Sequence, residues 1–484
     1  RGRYRVEEFL DAEAERFGGY DAVVLWQAYP RIGLDERTQF DFYRDLPGGL
    51  PGLRDVVERL HRRGVRAFLC YNPWDTSTRA GGENHLESLV ALVRQLDADG
   101  IFLDTMKHSG AEFRARLDAV RGGVALEGEI ALPLDHVHDH HLSWMQWWSD
   151  YDTPAPGVLR NKWFERRHMQ HEIRRWNWDH SAELHTAWMN GSGMMVWENV
   201  FGQWVGWNRR DQSILRAMLP IQRRFADLFS GEAWTPLVPS RHPSVYASCW
   251  GEYPLRLWTL VNRGDAAAEG PLLEIEAGPG ERYFDLVEGR TIDPTASDGH
   301  ALLRGAIAPR GIGGFLAARG DRLPPDFDEF LRAQRATAAR AEWDTTPGWS
   351  VARRIAPKPT RPYPAPPEGM IRIPGADLRL TVEHQAREVG HYAASPEGAG
   401  APPLHRKRSE VVRVTLAPLA IDAAPVTNRQ FAEFLQASGY APPDRTAFLR
   451  HWPDGRMPPE LAEHPVVYVS LDDARAYAAW AGKR

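Results

Sequence analysis

Cysteine is scarce in this sequence: Cys70 and Cys249 are the only two in 484 residues. That excludes a disulfide framework, and a chain so poor in thiols suits cytosol and bacterial periplasm equally, so the compartment stays open. Long apolar runs are also missing. No stretch of 18 or more apolar residues occurs, so no membrane partner is expected. The sequence opens on Arg1 without a Met or an apolar leader core, and a true start further upstream is the expectation. An excess of one charge is absent too. Lys and Arg number 59 against 64 Asp and Glu, a net charge of -5. This excludes the basic face with which a nucleic-acid-binding protein displaces counterions.

What is present fits a soluble, multidomain globular chain. Hydrophobic residues make up 43% and charged residues 25%, ordinary for a folded protein. Single cores stop growing near 250 to 300 residues, so a chain of this length divides. Tryptophan is abundant. Of the 19 Trp residues, many lie between Trp144 and Trp207; flat aromatic faces suit sugar rings, although core packing is the commoner use of any single Trp.

From about residue 20 to 230, short apolar runs alternate with amphipathic helical stretches, as parallel βα units do. The runs are 22–26, 65–71, 101–104, 124–129 and 194–198. Between the first two, Leu53, Val56, Val57 and Leu60 recur at helical spacing and Gly64 supplies the stop. This predicts a TIM-like (β/α) barrel over 1–235. The Arg-rich run from Glu165 to Arg175 is expected to be a solvated helix face. Alternating strands bounded by Gly, Pro and Asp predict an all-β sandwich over 236–320. A helix near 326–341 and a Pro-rich linker complete residues 321–367, where fixed φ angles favour an extended spacer.

Barrel chemistry sits at the carboxyl ends of strands. Those ends carry Tyr71, Asn72, Trp74 and Asp75, then Asp104 and Lys107, then Glu127 and Glu129, then Trp197 and Glu198. Glycoside cleavage needs two carboxyl groups, one ionised and one protonated. Asp104 with Glu127 or Glu129 fits that need. Strand alternation points Glu127 and Glu129 to one side, with Glu129 nearer the rim. Trp26, Tyr71, Asn72, Trp74, Asp75, Lys107, Trp197 and Glu198 are the candidate substrate-binding residues. The His-rich run 135–141 suggests metal ligands, but neighbouring histidines in one loop seldom converge on an ion, and no metal is assigned to the barrel. Trp144, Trp147 and Trp148 either line a sugar subsite or pack a helix.

The segment 99–105, followed one βα unit later by 126–129, resembles the nucleophile and acid strands of retaining glycoside hydrolases of the alpha-amylase and alpha-galactosidase type. The segment from Gly52 to Asp75 is similar to the donor-sugar strand of the alpha-galactosidase kind. The resemblance implies a carbohydrate substrate, with Asp104 as nucleophile. The Lys-Trp-Asp strand and the Asp acid of that pattern are missing here.

Past the linker, Glu368–Gly375, Val414–Asp422, Pro425–Phe434, His464–Ser470 and Asp472–Arg484 follow in order. Together they resemble the first part of a formylglycine-generating-enzyme (sulfatase-modifying factor) domain, which implies a partial α+β fold of C-type-lectin kind over 368–484. Thr427 is expected to cap a helix from Asn428 to Ala437. The resemblance implies a copper-binding cysteine pair late in the domain. No cysteine follows Cys249, so copper or another metal is expected only in a part beyond Arg484, and residues 368–484 alone are expected to generate no formylglycine. Two readings stand. One is a carboxylate-pair glycoside hydrolase fused to this module; the other is a formylglycine-generating or non-haem-metal oxidase relative whose barrel is a non-catalytic glycan scaffold.

Overall fold

The computed structural model describes all residues but 1–2, 28–36, 76–83, 131, 146–152, 175–177, 201–202, 205, 347–354, 356–361 and 386–406. The chain enters through helix α1 (Val6–Phe17) and then lays down six strands: β1 (Ala22–Leu25), β2 (Arg66–Tyr71), β3 (Gly100–Leu103), β4 (Ala125–Gly128), β5 (Leu142–Met145) and β6 (Met169–Glu172). They pair in parallel and in chain order. Between them run α2 (Gln39–Asp45), α3 (Gly49–Arg62), α4 (His85–Leu96), α5 (Ala111–Asp118) and the short α6 (Arg160–Phe164). Two of the starts have a side-chain cap. Thr38 closes a capping box with Asp41 at α2, and the Asn84 side chain accepts from the Leu86 and Glu87 amides at α4.

The sheet is a half-barrel whose two faces differ. Outward residues Ala67, Leu69, Ile101, Leu103 and Leu126 meet Leu53, Val56, Val57 and Leu60 of α3 and the apolar face of α4 in one core. Inward residues Cys70, Phe102 and Trp144 form a second, aromatic core. Trp26, just past β1, lies 6.1 Å from Trp144 of β5 and 5.1 Å from Trp197, three residues past the Met194 bridge to β6. First and last strands are thus brought together by curvature, as the sheet's twist requires.

Two expectations need correction. The run 194–198 is not a strand: Met194 makes a single parallel bridge to Glu172, and the chain then forms a small hairpin, β7 (Asn199–Val200) with β8 (Gln203–Trp204). The Arg-rich stretch 165–175 is not a helix face either. Helix ends at Phe164, His168 is buried, and 169–172 is β6. Helices α7 (Ser181–Met189), α8 (Arg209–Arg224) and α9 (Ala226–Phe229) follow.

The antiparallel part consists of two sheets. The larger joins β9 (Trp234–Val238), β10 (Val245–Glu252), β11 (Leu255–Asn262), β13 (Glu281–Asp285), β14 (Arg290–Ile292) and β17 (Ile312–Arg319) in the order β14-β13-β17-β11-β10-β9. The smaller joins β12 (Ala268–Glu276), β15 (Thr295–Ser297) and β16 (His300–Ile307). The larger sheet is covered twice. One face packs on the smaller sheet, the other on α7 and α8, where Trp188 Nε1 donates to the Gly313 carbonyl at 2.8 Å. A Cβ on Gly314 would lie 3.2 Å from the Trp188 ring, so glycine there permits the close approach. Helix α10 (Phe327–Ala339) docks across both parts, with Gln334 donating to the carbonyls of Ala217 and Leu286.

The C-terminal module pairs β18 (Met370–Ile373) with β21 (Leu419–Asp422), and β19 (Ala376–Gln385) with β20 (Lys407–Leu416). Helices α11 (Asn428–Ser438) and α12 (Leu471–Trp480) close a core of Phe431, Phe434, Leu449, Trp452 and Tyr477. Thr427 caps α11 as expected, in a capping box with Gln430. The module touches the barrel at the α2–α3 turn: Arg450 Nη1 meets Asp45 at 2.9 Å, and the Gly48 amide donates to Thr446 Oγ1 at 3.1 Å. No helix among the described residues is long and apolar enough to cross a membrane.

Candidate active site at the strand ends

Strand register builds the site. Tyr71 pairs with Leu103 and Leu103 with Gly128, so one residue further on Asn72, Asp104 and Glu129 stand side by side. The ladder reaches that far: the Asp104 amide donates to the Tyr71 carbonyl at 2.9 Å and the Glu129 amide to the Leu103 carbonyl at 3.2 Å. The three are 0%, 2% and 7% exposed. Each carboxylate has its donor. Asn72 Nδ2 donates to Asp104 Oδ2 at 2.8 Å, and the Thr105 amide donates to Glu129 Oε2 at 2.6 Å. Thr105 adopts φ 59°, and this turn aims its N–H at the neighbouring strand. Beneath them, burial and then the Asp104 and Glu129 charges push the Cys70 thiol well above its ordinary range.

Glu127 has a different environment. It projects to the same interior side, one layer deeper, where its Oε1 makes a short contact with His171 Nδ1 of β6. Burial works to lower the His171 pKa, but the Glu127 charge and hydrogen bond outweigh it and leave the imidazole above its ordinary value. Gly193 makes room, since a Cβ there would sit 2.8 Å from His171 Cδ2. Breaking this pair will be costly. His171→Leu leaves a buried carboxylate alone, at about 3–5 kcal/mol, whereas the double change His171→Leu with Glu127→Leu is expected to recover most of that. Urea unfolding of the three proteins checks it, and equal losses in single and double variants would refute it.

The other sequence candidates scatter. Trp26 and Trp197 are half-buried and pack on each other over Phe102, which stacks on Trp144 at 4.2 Å. Trp144 therefore fills the barrel, while Trp147 and Trp148 lie outside the described residues. Tyr71 is not brought to the site. Strand alternation turns it outward, where its hydroxyl shares a hydrogen bond with His85 Nδ1 at 3.2 Å. Asp75 is buried and accepts the Gln39 amide at 2.6 Å. Trp74 is 42% exposed at the rim, and Lys107 is exposed. Glu198 is drawn away to α1, where Arg16 Nη1 donates to it at 2.6 Å.

The His-rich loop serves packing. His136 stacks on His108 at 3.7 Å, and His140 Nε2 accepts the Ser109 amide at 3.0 Å. Among the described residues, no group of three or more His, Cys, Asp or Glu is placed to hold a metal ion. Residues 357–484 contain no cysteine, so the donors present do not fit a thiolate copper centre. A cleft of about 450 Å³ opens elsewhere, beside the edge strand β9, lined by Leu237, Pro239, Arg241, Pro243 and Tyr246. It includes none of the strand-end carboxylates.

The fold is thus multidomain: a parallel half-barrel, antiparallel sheets, and a C-terminal module of paired strands and two helices. The family described as "Sulfatase-modifying factor enzyme 1-like domain" is matched by residues 357–484. The formylglycine-generating enzyme of Thermomonospora curvata is 32% identical over 151 residues, 24% of this chain and 45% of that protein. The inactive C-alpha-formylglycine-generating enzyme 2 of Bos taurus is 30% identical over 150 residues, 24% of this chain and 44% of that protein. The chain thus spans less than half the length of these relatives. Among solved structures, the alpha-amylase of Geobacillus thermoleovorans complexed with acarbose overlays with a TM-score of 0.47 at 12% identity, covering 65% of this chain and 92% of that one. The GH27 β-L-arabinopyranosidase of Geobacillus stearothermophilus gives 0.42 at 11%, covering 66% and 93%. Likeness at this level carries no weight for activity, which has to be argued from the site itself.

Proposed function

We propose that the barrel is a carbohydrate-active hydrolase that cleaves glycosidic bonds with retention of configuration, with Asp104 as nucleophile and Glu129 as acid and base. The reading rests on the neighbouring positions of those two residues on adjacent strands. Parallel strands run roughly 4.8 Å apart. That spacing suits the carboxyl separation of about 5–5.5 Å used by retaining enzymes and is short of the roughly 6.5–9.5 Å that inverting enzymes need for water. Glu127 is the weaker candidate for the acid because its carboxylate is engaged by His171.

In this mechanism Glu129 gives its proton to the departing glycosidic oxygen while Asp104 Oδ1 or Oδ2 attacks the anomeric carbon. Water, deprotonated by Glu129, then releases the sugar from Asp104. Asn72 holds the nucleophile, and Trp74, exposed at the rim, offers a face on which a sugar ring can stack.

The test is to incubate the protein with aryl glycosides and plant or bacterial polysaccharides while following the first-formed anomer by proton NMR. Retention is expected. Inversion would remove the retaining mechanism. Sugar binding without cleavage would instead support a non-catalytic glycan scaffold whose C-terminal module sets the function.

A further inference from the structure

Strand β1 ends at Leu25, paired with Leu69, whereas β2 runs on to Tyr71. Along a strand, each residue's N–H and C=O point to the same side. Tyr71 offers its carbonyl to Asp104 on the β3 side, so Asn72 turns its N–H and C=O toward the β1 side, beyond the end of that ladder. Gln39, the first residue of α2, fills the gap. Its Nε2 donates to the Asn72 carbonyl at 2.6 Å and its Oε1 accepts the Asn72 amide at 2.8 Å. A side-chain amide takes the place of a strand peptide. Gln39 is fixed in turn, because its own amide donates to Asp75 Oδ2 at 2.6 Å and Thr38 caps the helix that begins there. Gln39 and Asn72 are both 0% exposed.

The remaining groups of Asn72 are also committed. Its Oδ1 accepts the Trp74 amide at 2.9 Å, which leaves Nδ2 aimed at Asp104 Oδ2. We infer that Gln39 is a positioning residue for the Asp104 carboxylate, acting through Asn72; as a statement about catalysis this rests on the hydrolase reading above. Rotation of the Asn72 backbone by a few tens of degrees would carry Nδ2 out of hydrogen-bonding range, and the Asp104 carboxylate, with that hydrogen bond lost, would be held less well in its attacking geometry.

The experiment uses the full chain with selectively ¹⁵N-labelled asparagine, in wild type, Gln39→Glu and Gln39→Leu. The Asn72 side-chain amide signal is assigned by its loss in Asn72→Ser, and its dependence on the carboxylate is established with Asp104→Asn. Gln39→Glu keeps the size and the acceptor but loses the donor, so it guards against misfolding in Gln39→Leu. In both Gln39 variants the Asn72 amide is expected to shift toward its position in Asp104→Asn. On a cleaved glycoside kcat is expected to fall about 10- to 100-fold while KM stays within about threefold. An unmoved Asn72 signal overturns the inference, whether or not kcat falls. A moved signal with unchanged kcat overturns the catalytic part. If wild type cleaves nothing, the hydrolase reading fails and the catalytic statement with it, while the NMR comparison still decides whether Gln39 holds Asn72 on Asp104.

Discussion

Under the proposed mechanism, Glu129→Gln is expected to slow cleavage of substrates with poor leaving groups by about 10²–10⁴-fold, the usual worth of a positioned proton donor. It has far less effect on the first step with an activated aryl glycoside, which leaves without help. For such a substrate the second step becomes limiting, because water then lacks its base, and a sugar bound to Asp104 accumulates as a burst of released phenol. Azide, which needs no deprotonation, should restore turnover and give a glycosyl azide of unchanged configuration. Asp104→Asn should abolish turnover of every substrate, activated or not. Glu127→Gln is the discriminating control: its main expected effect is lost stability through His171, with no dependence on leaving group. Steady-state and burst kinetics on substrates of graded leaving group check the set. Leaving-group dependence in Glu127→Gln instead of Glu129→Gln would exchange the two roles.

Much of the half-barrel was legible because its first four strands are covered outside by amphipathic helices. Leu53, Val56, Val57 and Leu60 and the runs beside them carry that signal openly. The next two strands were missed for a physical reason. The link from β4 to β5 contains no α-helix among the described residues, and the backing of β5 and β6 is polar. Ser143 Oγ bonds His168 Nε2 at 2.9 Å, Gln170 Oε1 accepts the Asn161 amide at 3.2 Å, and the Gln170 amide donates to Ser192 Oγ at 3.1 Å. Polar residues so satisfied can be buried, which erases the apolar alternation that reveals a strand. The alternation Leu142, Trp144 was the one signal left.

The site divides in the same way. Asp104, Glu127 and Glu129 could be named as candidates because each follows or ends an apolar run, but their partners come from far along the chain. Glu127 meets a histidine 44 residues away, and Asn72 a glutamine 33 residues away. No local pattern encodes such pairings; they depend on curvature and register. In the C-terminal module the reverse holds. Motif order and the Thr427 cap are local, and there the sequence-based expectation of the helix start agreed with the structure.

Three buried histidines, His140 of the His-rich run together with His168 and His185, should make the fold sensitive to acid. His168 donates through Nδ1 to the His140 carbonyl at 3.1 Å and accepts at Nε2 from Ser143; His185 donates through Nε2 to the Arg310 carbonyl at 2.9 Å. Burial, the largest cause, pushes His168 and His140 down to about 4 and His185 down to about 3. A histidine lowered in the folded state is neutral there while its unfolded form, near 6.5, takes a proton. Stability from these groups is therefore complete above about pH 6.5 and is lost as pH falls toward 4 and below. At about 1.4 kcal/mol per tenfold change in proton affinity, and with about two tenfold steps for each group between pH 6.5 and 4.5, His168 and His185 together account for a loss on the order of 5 kcal/mol by pH 4.5. Groups raised in the folded state oppose this, the buried Asp211 among them. Asp285, raised to about 6 by burial, favours the folded state as pH falls, and His171, raised above its ordinary value, keeps its full contribution below about 6.5 and loses it only as pH rises. The lowered histidines outweigh them. Urea unfolding between pH 7.5 and 4.5 should show a falling midpoint and net proton uptake on unfolding at pH 5. His168→Gln, which retains a donor and an acceptor, should flatten the fall. A midpoint unchanged from pH 7 to 5 would mean that these imidazoles are not held neutral by burial.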